Sequence, residues 1–322
     1  MANSKLAVRA AGPGTRRIKH KGLRDLVVNR YLYMMLLPAV LFSVVFSYLP
    51  LTGIAIAFQD FNPIKGIFGS EFVGLNNFKF FFHGTDWIVI TFNTVFLNLL
   101  FIVTGTALAV TLAILISELG KSVYVRVVQS AMILPNFISW PIVGLFSVAF
   151  LTMDTGVVDK LLAFIHVGSI DFYMSPNAWP SILVLSNLWK TAGFGAIVYL
   201  AAIIGQDKGL IEAARIDGAT RLQCIWHITL PQLKTTIIML FLLSMGGIFV
   251  GNLDMIYSLV GDNSFLYPTT DVIDTYIFRA LRSQGRLGMT QAIGLYQSVI
   301  GFILVLLSNK LAKKIDESSS IF

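Results

Sequence analysis

Six stretches of this chain are too long and too apolar for the surface or the core of a small soluble domain: Leu32–Phe58, Ile88–Ile116, Val123–Leu151, Ser181–Ile204, Leu233–Val260 and Thr290–Ser308. A helix rises about 1.5 Å per residue, so about 20 apolar residues cross the roughly 30 Å hydrocarbon core of a bilayer. Each stretch comes up to that length. Inside lipid every backbone N–H and C=O must be paired within the protein, which makes such stretches helices. Composition agrees, with 56% hydrophobic and 13% charged residues and a mean hydropathy of +0.76, against roughly 25% charged in a soluble domain. The first stretch follows basic residues and ends near Ala55-Ile56-Ala57, as a secretory leader would. Its apolar run far exceeds the roughly 7–15 residues of a leader, so it reads as a retained span. The expectation is an all-α polytopic membrane protein with six transmembrane helices, and 322 residues leave no room for a large soluble enzyme domain besides.

Charge sets the orientation. Lys+Arg number 24 against 17 Asp+Glu, a surplus of +7. In a soluble protein that would suggest nucleic acid; in a polytopic one it marks the cytoplasmic side, and no nucleic-acid partner is expected. Most of the basic residues fall in the first thirty residues (Lys5, Arg9, Arg16, Arg17, Lys19, Lys21, Arg24, Arg30), at Lys121 and Arg126, at Lys208, Arg215, Arg221 and Lys234, and in the tail at Lys310, Lys313 and Lys314. Both termini are therefore placed in the cytoplasm. The organisation read from this is a basic N-terminal segment over 1–30, a membrane domain over 31–310 and a tail over 311–322. Met1–Lys21 lacks any apolar period, and Gly22–Tyr33 could lie as a short amphipathic helix on the inner membrane surface. The last outer loop is discordant, because it carries Arg279, Arg282 and Arg286.

Several chemistries find no residues to carry them. A phosphate cradle needs G-x-x-x-x-G-K-[ST], and Gly120-Lys121-Ser122 has Leu115 where the upstream glycine belongs. His20, His83, His166 and His227 form no i, i+4 pair and have no cysteine partners, and Cys224 is alone; no metal site and no catalytic residue is assigned. Neither a coupling-ion site nor inverted repeats are visible, which weighs against an ion-coupled secondary transporter.

The loop between the fourth and fifth spans, 207–231, carries the strongest local pattern. Asp207 can cap a short helix, Gly218 can end it in the left-handed conformation, and Thr220 with Gln223 forms a capping box for a second helix, before Pro231 opens the fifth span. Leu210, Ile211, Ala214, Leu222, Ile225 and Trp226 are too apolar for a solvated loop. The elbow either lies on the membrane or its own bundle, or docks a soluble partner.

Glu212-Ala213-Ala214, Gly218 six residues after Glu212, and Ile228-x-Leu230-Pro231 reproduce without a gap the EAA signature, so the chain resembles the permeases of binding-protein-dependent ABC importers. Leu37-Pro38-Ala39, Phe46-Ser47-Tyr48-Leu49-Pro50, Ala57-Phe58-Gln59-Asp60-Phe61-Asn62-Pro63, Phe72-Val73-Gly74-Leu75-Asn76-Asn77-Phe78 and Leu134-Pro135 are similar to its maltose-permease branch, and especially to the subgroup for complex oligosaccharides. The resemblance runs from about Tyr31 onward. It implies a type I importer fold in a bacterial cytoplasmic membrane. It also implies a second homologous permease, two cytoplasmic ATPase subunits that hold ATP and Mg, an extracytoplasmic solute-binding protein, and no cofactor in this chain. Glu212, Ala213, Ala214, Asp217, Gly218, Ile228, Leu230 and Pro231 would then couple the elbow to the ATPase.

Polar residues at membrane depth are costly and face a cavity or a neighbouring helix. Asn93, Asn98, Asn136, Trp140, Asn187, Trp189, Lys190, Asn252, Asp254, Tyr257 and Gln297, with Tyr296, are the candidates for a sugar path, each also open to a purely interhelical role. Gly105, Ala109, Gly247 and Gly251 read as close-packing positions. Lys190 and the three outer arginines would suit an acidic sugar such as a uronate oligomer; pairing with Asp271 and Asp274, or docking of an acidic binding protein, would account for the arginines equally. A permease for a simple sugar or glycerol phosphate is the alternative substrate reading.

Overall fold

The computed structural model describes residues 29–120, 122–166 and 168–315. The expected basic segment, most of the expected surface helix over Gly22–Tyr33 and the end of the tail lie outside these residues. The chain divides into two compact units, Met1–Gly53 and Ile54–Phe322.

In the first unit, α1 spans Arg30–Ser43 and continues as a π segment over Val44–Tyr48. Neither buries a side chain, and the rings of Phe42 and Phe46 lie 4.7 Å apart. A helix that is apolar on every side and covered on none is suited to lipid rather than water. A 3-10 segment, Leu49–Phe58, completes an apolar run of 29 residues.

The second unit continues with a hairpin in which β1 (Gln59–Asp60) pairs antiparallel with β2 (Glu71–Phe72). Then come α2 (Asn76–Phe82), the 33-residue α3 (Asp86–Glu118), α4 (Val123–Ile133), α5 (Trp140–Leu151), α6 (Val157–Phe164) and α7 (Trp179–Ile204). They are followed by α8 (Lys208–Ile216), α9 (Arg221–Cys224), α10 (Leu230–Met245), α11 (Leu253–Val260), α12 (Ile273–Gln284) and α13 (Leu287–Ile315). Among the described residues five helices are long and apolar enough to cross a membrane, or six when one bent pair is taken as a span.

α3 and α7 pack along each other and form the axis of the unit. Around them lie three apolar clusters: Leu97, Val143, Trp179, Leu183 and Met255 where α5 and α11 meet the axis, Ala113, Val125, Tyr199 and Leu233 toward the Glu118 end, and Phe81, Ile90, Ile273 and Ile293 toward the Asp86 end. Close approach depends on two glycines. A Cβ on Gly193 would overlap the Met132 carbonyl of α4, and one on Gly144 would overlap the Ser258 carbonyl of α11. Gly105, expected to be a packing position, has open space where its Cβ would be.

Two expected spans are not continuous helices. The third bends by 95° between Phe137 and Trp140. Pro135 and Pro141 each lack an N–H donor, and Ile138 and Ser139 between them are extended, with ψ of 130° and 150°. The fifth ends at Met245 rather than Val260. Gly246, Gly247 and Gly251 weaken the helix there, and α11 restarts as a separate helix capped by Asn252, whose Oδ1 accepts from the Met255 nitrogen at 3.2 Å.

Candidate functional site

Two places concentrate the residues singled out by sequence. The first is the elbow. Asp207 accepts a hydrogen bond from the Gly209 nitrogen (2.9 Å) and starts α8. Gly218 takes φ +88°, the left-handed conformation that a side chain would strain. Thr220 and Gln223 form the reciprocal capping box of α9, the Thr220 nitrogen donating to Gln223 Oε1 at 2.8 Å. A π segment, Ile225–Thr229, then leads into α10, with Pro231 in its first turn, where a missing N–H costs nothing.

The elbow is ordered by its own caps, yet four of its large apolar residues are uncovered. Leu210, Ile216, Leu222 and Trp226 are 51%, 87%, 64% and 60% exposed. Glu212, Ala213, Asp217 and Pro231 are exposed, while Ala214, Ile228 and Leu230 are half-buried. Beneath α8 lies a cavity of about 650 Å³, lined among others by Glu118, Arg126, Gln206, Glu212 and Arg215.

The second place is the pair of helix breaks. At the 95° bend, the Lys190 ammonium donates to the carbonyls of Asn136 (3.0 Å) and Ile138, under the ring of Trp140 at 5.2 Å. Lys190 is only 7% exposed. At the break after α10, Asn98 Nδ2 donates to the carbonyls of Ile248 (3.0 Å) and Val250 (3.2 Å), and Gln297 Nε2 to that of Phe249 (2.6 Å). Asp274 Oδ2 accepts from the Gly251 nitrogen (2.5 Å) and from Gln297 Nε2 (2.9 Å). Burial of Asp274 raises its pKa above the ordinary 3.8 despite those donors. Nearby, Asn93 donates to the carbonyls of Pro268 and Asp271, both at 3.1 Å. The breaks expose backbone groups that a helix would have paired, and long polar side chains of α3, α7 and α13 pair them again.

The inner-membrane component family of binding-protein-dependent transport systems matches residues 72–317. The chain belongs to that family. The permease is 36% identical to protein LplB of Bacillus subtilis (strain 168) over 289 residues, covering 90% of each chain. It is also 36% identical to YteP of the same strain, a polygalacturonan/rhamnogalacturonan transport system permease, over 295 residues, covering 92% of this chain and 91% of that one. A chain from the crystal structure of a bacterial ABC transporter involved in the import of the acidic polysaccharide alginate superposes with a TM-score of 0.83 at 35% identity, covering 92% of this permease and 100% of that chain. A second structure holds the alginate transporter with its periplasmic protein bound to an alginate pentasaccharide, and its matching chain gives TM-score 0.83 at 34% identity.

The remaining polar candidates of the permease are scattered. Asn187 is buried, Asn136 and Trp140 are half-buried beside the bend, and Trp189 is 50% exposed one residue before Lys190. Asp254 is exposed at the start of α11, and the Tyr257 hydroxyl accepts from Arg282 Nη1 at 2.7 Å. Tyr296 shares a 3.1 Å hydrogen bond with Thr91. The outer arginines have local partners. Arg279 grips Asp271 through both terminal nitrogens (3.1 and 2.6 Å) and lies 4.0 Å over the Tyr267 ring, while Arg282 pairs with Asp262 at 3.2 Å. Burial alone would lower the Arg279 pKa; the hydrogen bonds and charge of Asp271 outweigh it and raise it. Sequence reasoning weighed Asp271 and Asp274 together as partners for the arginines, but Asp274 serves the Gly251 break instead. It missed Glu118 and Gln206, whose only sequence signal is a polar side chain at the end of an apolar run. Among the described residues no three His, Cys, Asp or Glu side chains converge as for a metal.

Proposed function

We propose that this permease is one membrane-spanning half of an ATP-driven importer that moves an acidic oligosaccharide of the uronate type inward across the cytoplasmic membrane. One observation carries the coupling part of the reading. The elbow spends its internal hydrogen bonds on holding a fixed shape while presenting large apolar side chains outward, which is what a knob seated in another protein's groove needs. In this reading the elbow docks on a cytoplasmic ATPase, Glu212 meets a basic residue there, and Ala213, Ala214, Asp217, Gly218, Ile228, Leu230 and Pro231 keep the knob's shape. The chain supplies no cofactor; ATP and Mg belong to two ATPase subunits. A second permease completes the translocation path, a solute-binding protein delivers the sugar, and both termini are cytoplasmic.

The acidic substrate is supported by the relatives named for polygalacturonan, rhamnogalacturonan and alginate. Trp140, Trp189, Asn136, Asn187, Asp254 and Tyr257 are proposed to face the sugar, offering flat apolar rings and hydrogen bonds to hydroxyls. Asn93, Asn98, Lys190, Asn252 and Gln297 belong to the same path by holding its broken helices in place. ATP binding and release move the elbows and turn the cavity alternately outward and inward.

Uptake by the reconstituted complex tests both parts. Gly218→Pro and Glu212→Lys are expected to abolish sugar-stimulated ATP hydrolysis and uptake with the complex still assembled, and intact uptake would sink the coupling assignment. An excess of galacturonate oligomers is expected to compete with uptake, whereas equal competition by neutral oligomers of the same length would remove the acidic preference.

A further inference from the structure

Resting on the importer reading, we propose that Glu118 and Arg215 are the joint through which the elbow moves the second span. Arg215 lies on α8 one turn after Glu212, and both line the cavity that separates α8 from the helical bundle. Across that space Arg215 Nη2 reaches Glu118 Oε2 at 3.8 Å, the only ion pair that α8 makes among the described residues. Glu118 is the last residue of α3. The pair bridges an open space instead of sealing a packed contact, so across that space a shift of α8 reaches α3 through the two charges.

What makes this contact consequential is the other end of the same helix. α3 carries Asn93 and Asn98, which hold the carbonyls of Pro268 and Asp271 ahead of α12, and those of Ile248 and Val250 at the break after α10. Thr94 Oγ1 also accepts from the first nitrogen of α12, that of Ile273, at 3.0 Å. A continuous helix therefore runs from an elbow-facing carboxylate to the break and to the start of α12. A displacement of α8 pulls on Glu118, and α3 delivers it to the segments that Asn93, Thr94 and Asn98 hold. The pair itself is half-exposed at Arg215, with side-chain exposures of 52% and 28%, so its static contribution to stability is small. Its role is in transmission.

The test uses the whole transporter, both permeases with ATPases and binding protein, in proteoliposomes, with a galacturonate trisaccharide as the probe and uptake per ATP hydrolysed as the readout. Glu118→Arg and Arg215→Glu are each expected to lower that ratio about fivefold or more, the lower end of typical coupling between sites. The charge-swapped double variant E118R/R215E is expected to restore it to within about twofold of the original. Glu118→Gln, which keeps shape and loses charge, gives an intermediate loss and covers the case in which a reversed charge prevents assembly. Single variants with an unchanged ratio, or a double variant as poor as the two singles combined, would overturn the joint while leaving the importer reading intact. No ATP-driven uptake by the unaltered complex would overturn both.

Discussion

The elbow and the helix breaks are opposites. At the elbow, polar groups satisfy one another locally and apolar side chains are left uncovered, with Ile216 at 87% exposure. At the breaks, the groups left without helical partners are backbone carbonyls, each met by a side chain from a distant part of the chain, as Asn98 meets Val250 and Lys190 meets Asn136. The difference separates two demands on one molecule. A surface that needs a partner advertises it by exposed apolar area, while a surface that needs none, in a medium without water, closes every hydrogen bond internally.

If this contrast holds, substitutions in the buried polar networks lower the stability of the isolated chain, whereas substitutions of the elbow's exposed apolar residues spare it and weaken assembly. The largest effect is expected at Arg279→Ala, which leaves the 7% exposed Asp271 carboxylate without its counter-ion. Removing one partner of a buried pair costs about 3–5 kcal/mol, visible as a lower unfolding midpoint in detergent; a loss below about 1 kcal/mol would show that water reaches the pair. Next comes Asn98→Ala. It removes hydrogen bonds to three carbonyls, those of Thr94, Ile248 and Val250, and at roughly 0.6 kcal/mol each within membrane proteins the cost is about 2 kcal/mol.

A smaller effect distinguishes Asp274. Its folded pKa is raised above 3.8, chiefly by burial, so the folded chain holds that proton more tightly than the unfolded one. Its contribution therefore favours folding at low pH and is lost as pH rises through the window from 3.8 to the raised value. Asp274→Asn, which keeps an acceptor for the Gly251 nitrogen, is expected to gain in midpoint relative to the original chain as pH rises from 4 to about 7. A difference that does not change with pH would refute the burial account. The smallest effect belongs to the elbow: Leu222→Ser is expected to change the isolated chain by less than about 0.5 kcal/mol, yet to reduce co-purification of the ATPase. A large loss of stability there would erase the contrast.

The elbow was legible in the sequence because its determinants are local. A cap, a box and a left-handed glycine act within four residues of themselves, so Asp207, Thr220, Gln223 and Gly218 could be read in order. The breaks were not legible, for the opposite reason. Hydropathy sums composition over a window and is blind to direction, so Leu233–Val260 and Val123–Leu151 read as single spans although Gly246, Gly247, Pro135 and Pro141 were in plain view. Asn98, Lys190 and Gln297 were recognisable as polar groups out of place, but their carbonyl partners at the breaks lie 48 to 152 residues away, and no spacing rule connects them. The apolar runs gave the helical spans and the resemblance to a family gave their arrangement, while the hydrogen bonds at the breaks join parts of the chain that no local pattern links.

The length of α3 has a consequence of its own. Its 33 residues rise about 50 Å, while the hydrocarbon core measures about 30 Å. Some 20 Å must be absorbed by tilt or by projection into the headgroups and water. Bilayer thickness, a variable that no residue encodes, thus sets how far Glu118 stands from the lipid and how steeply the helix leans. The same chain placed in shorter-chain lipids would hold its elbow at a different height, and the membrane itself becomes a component of the transporter's mechanics.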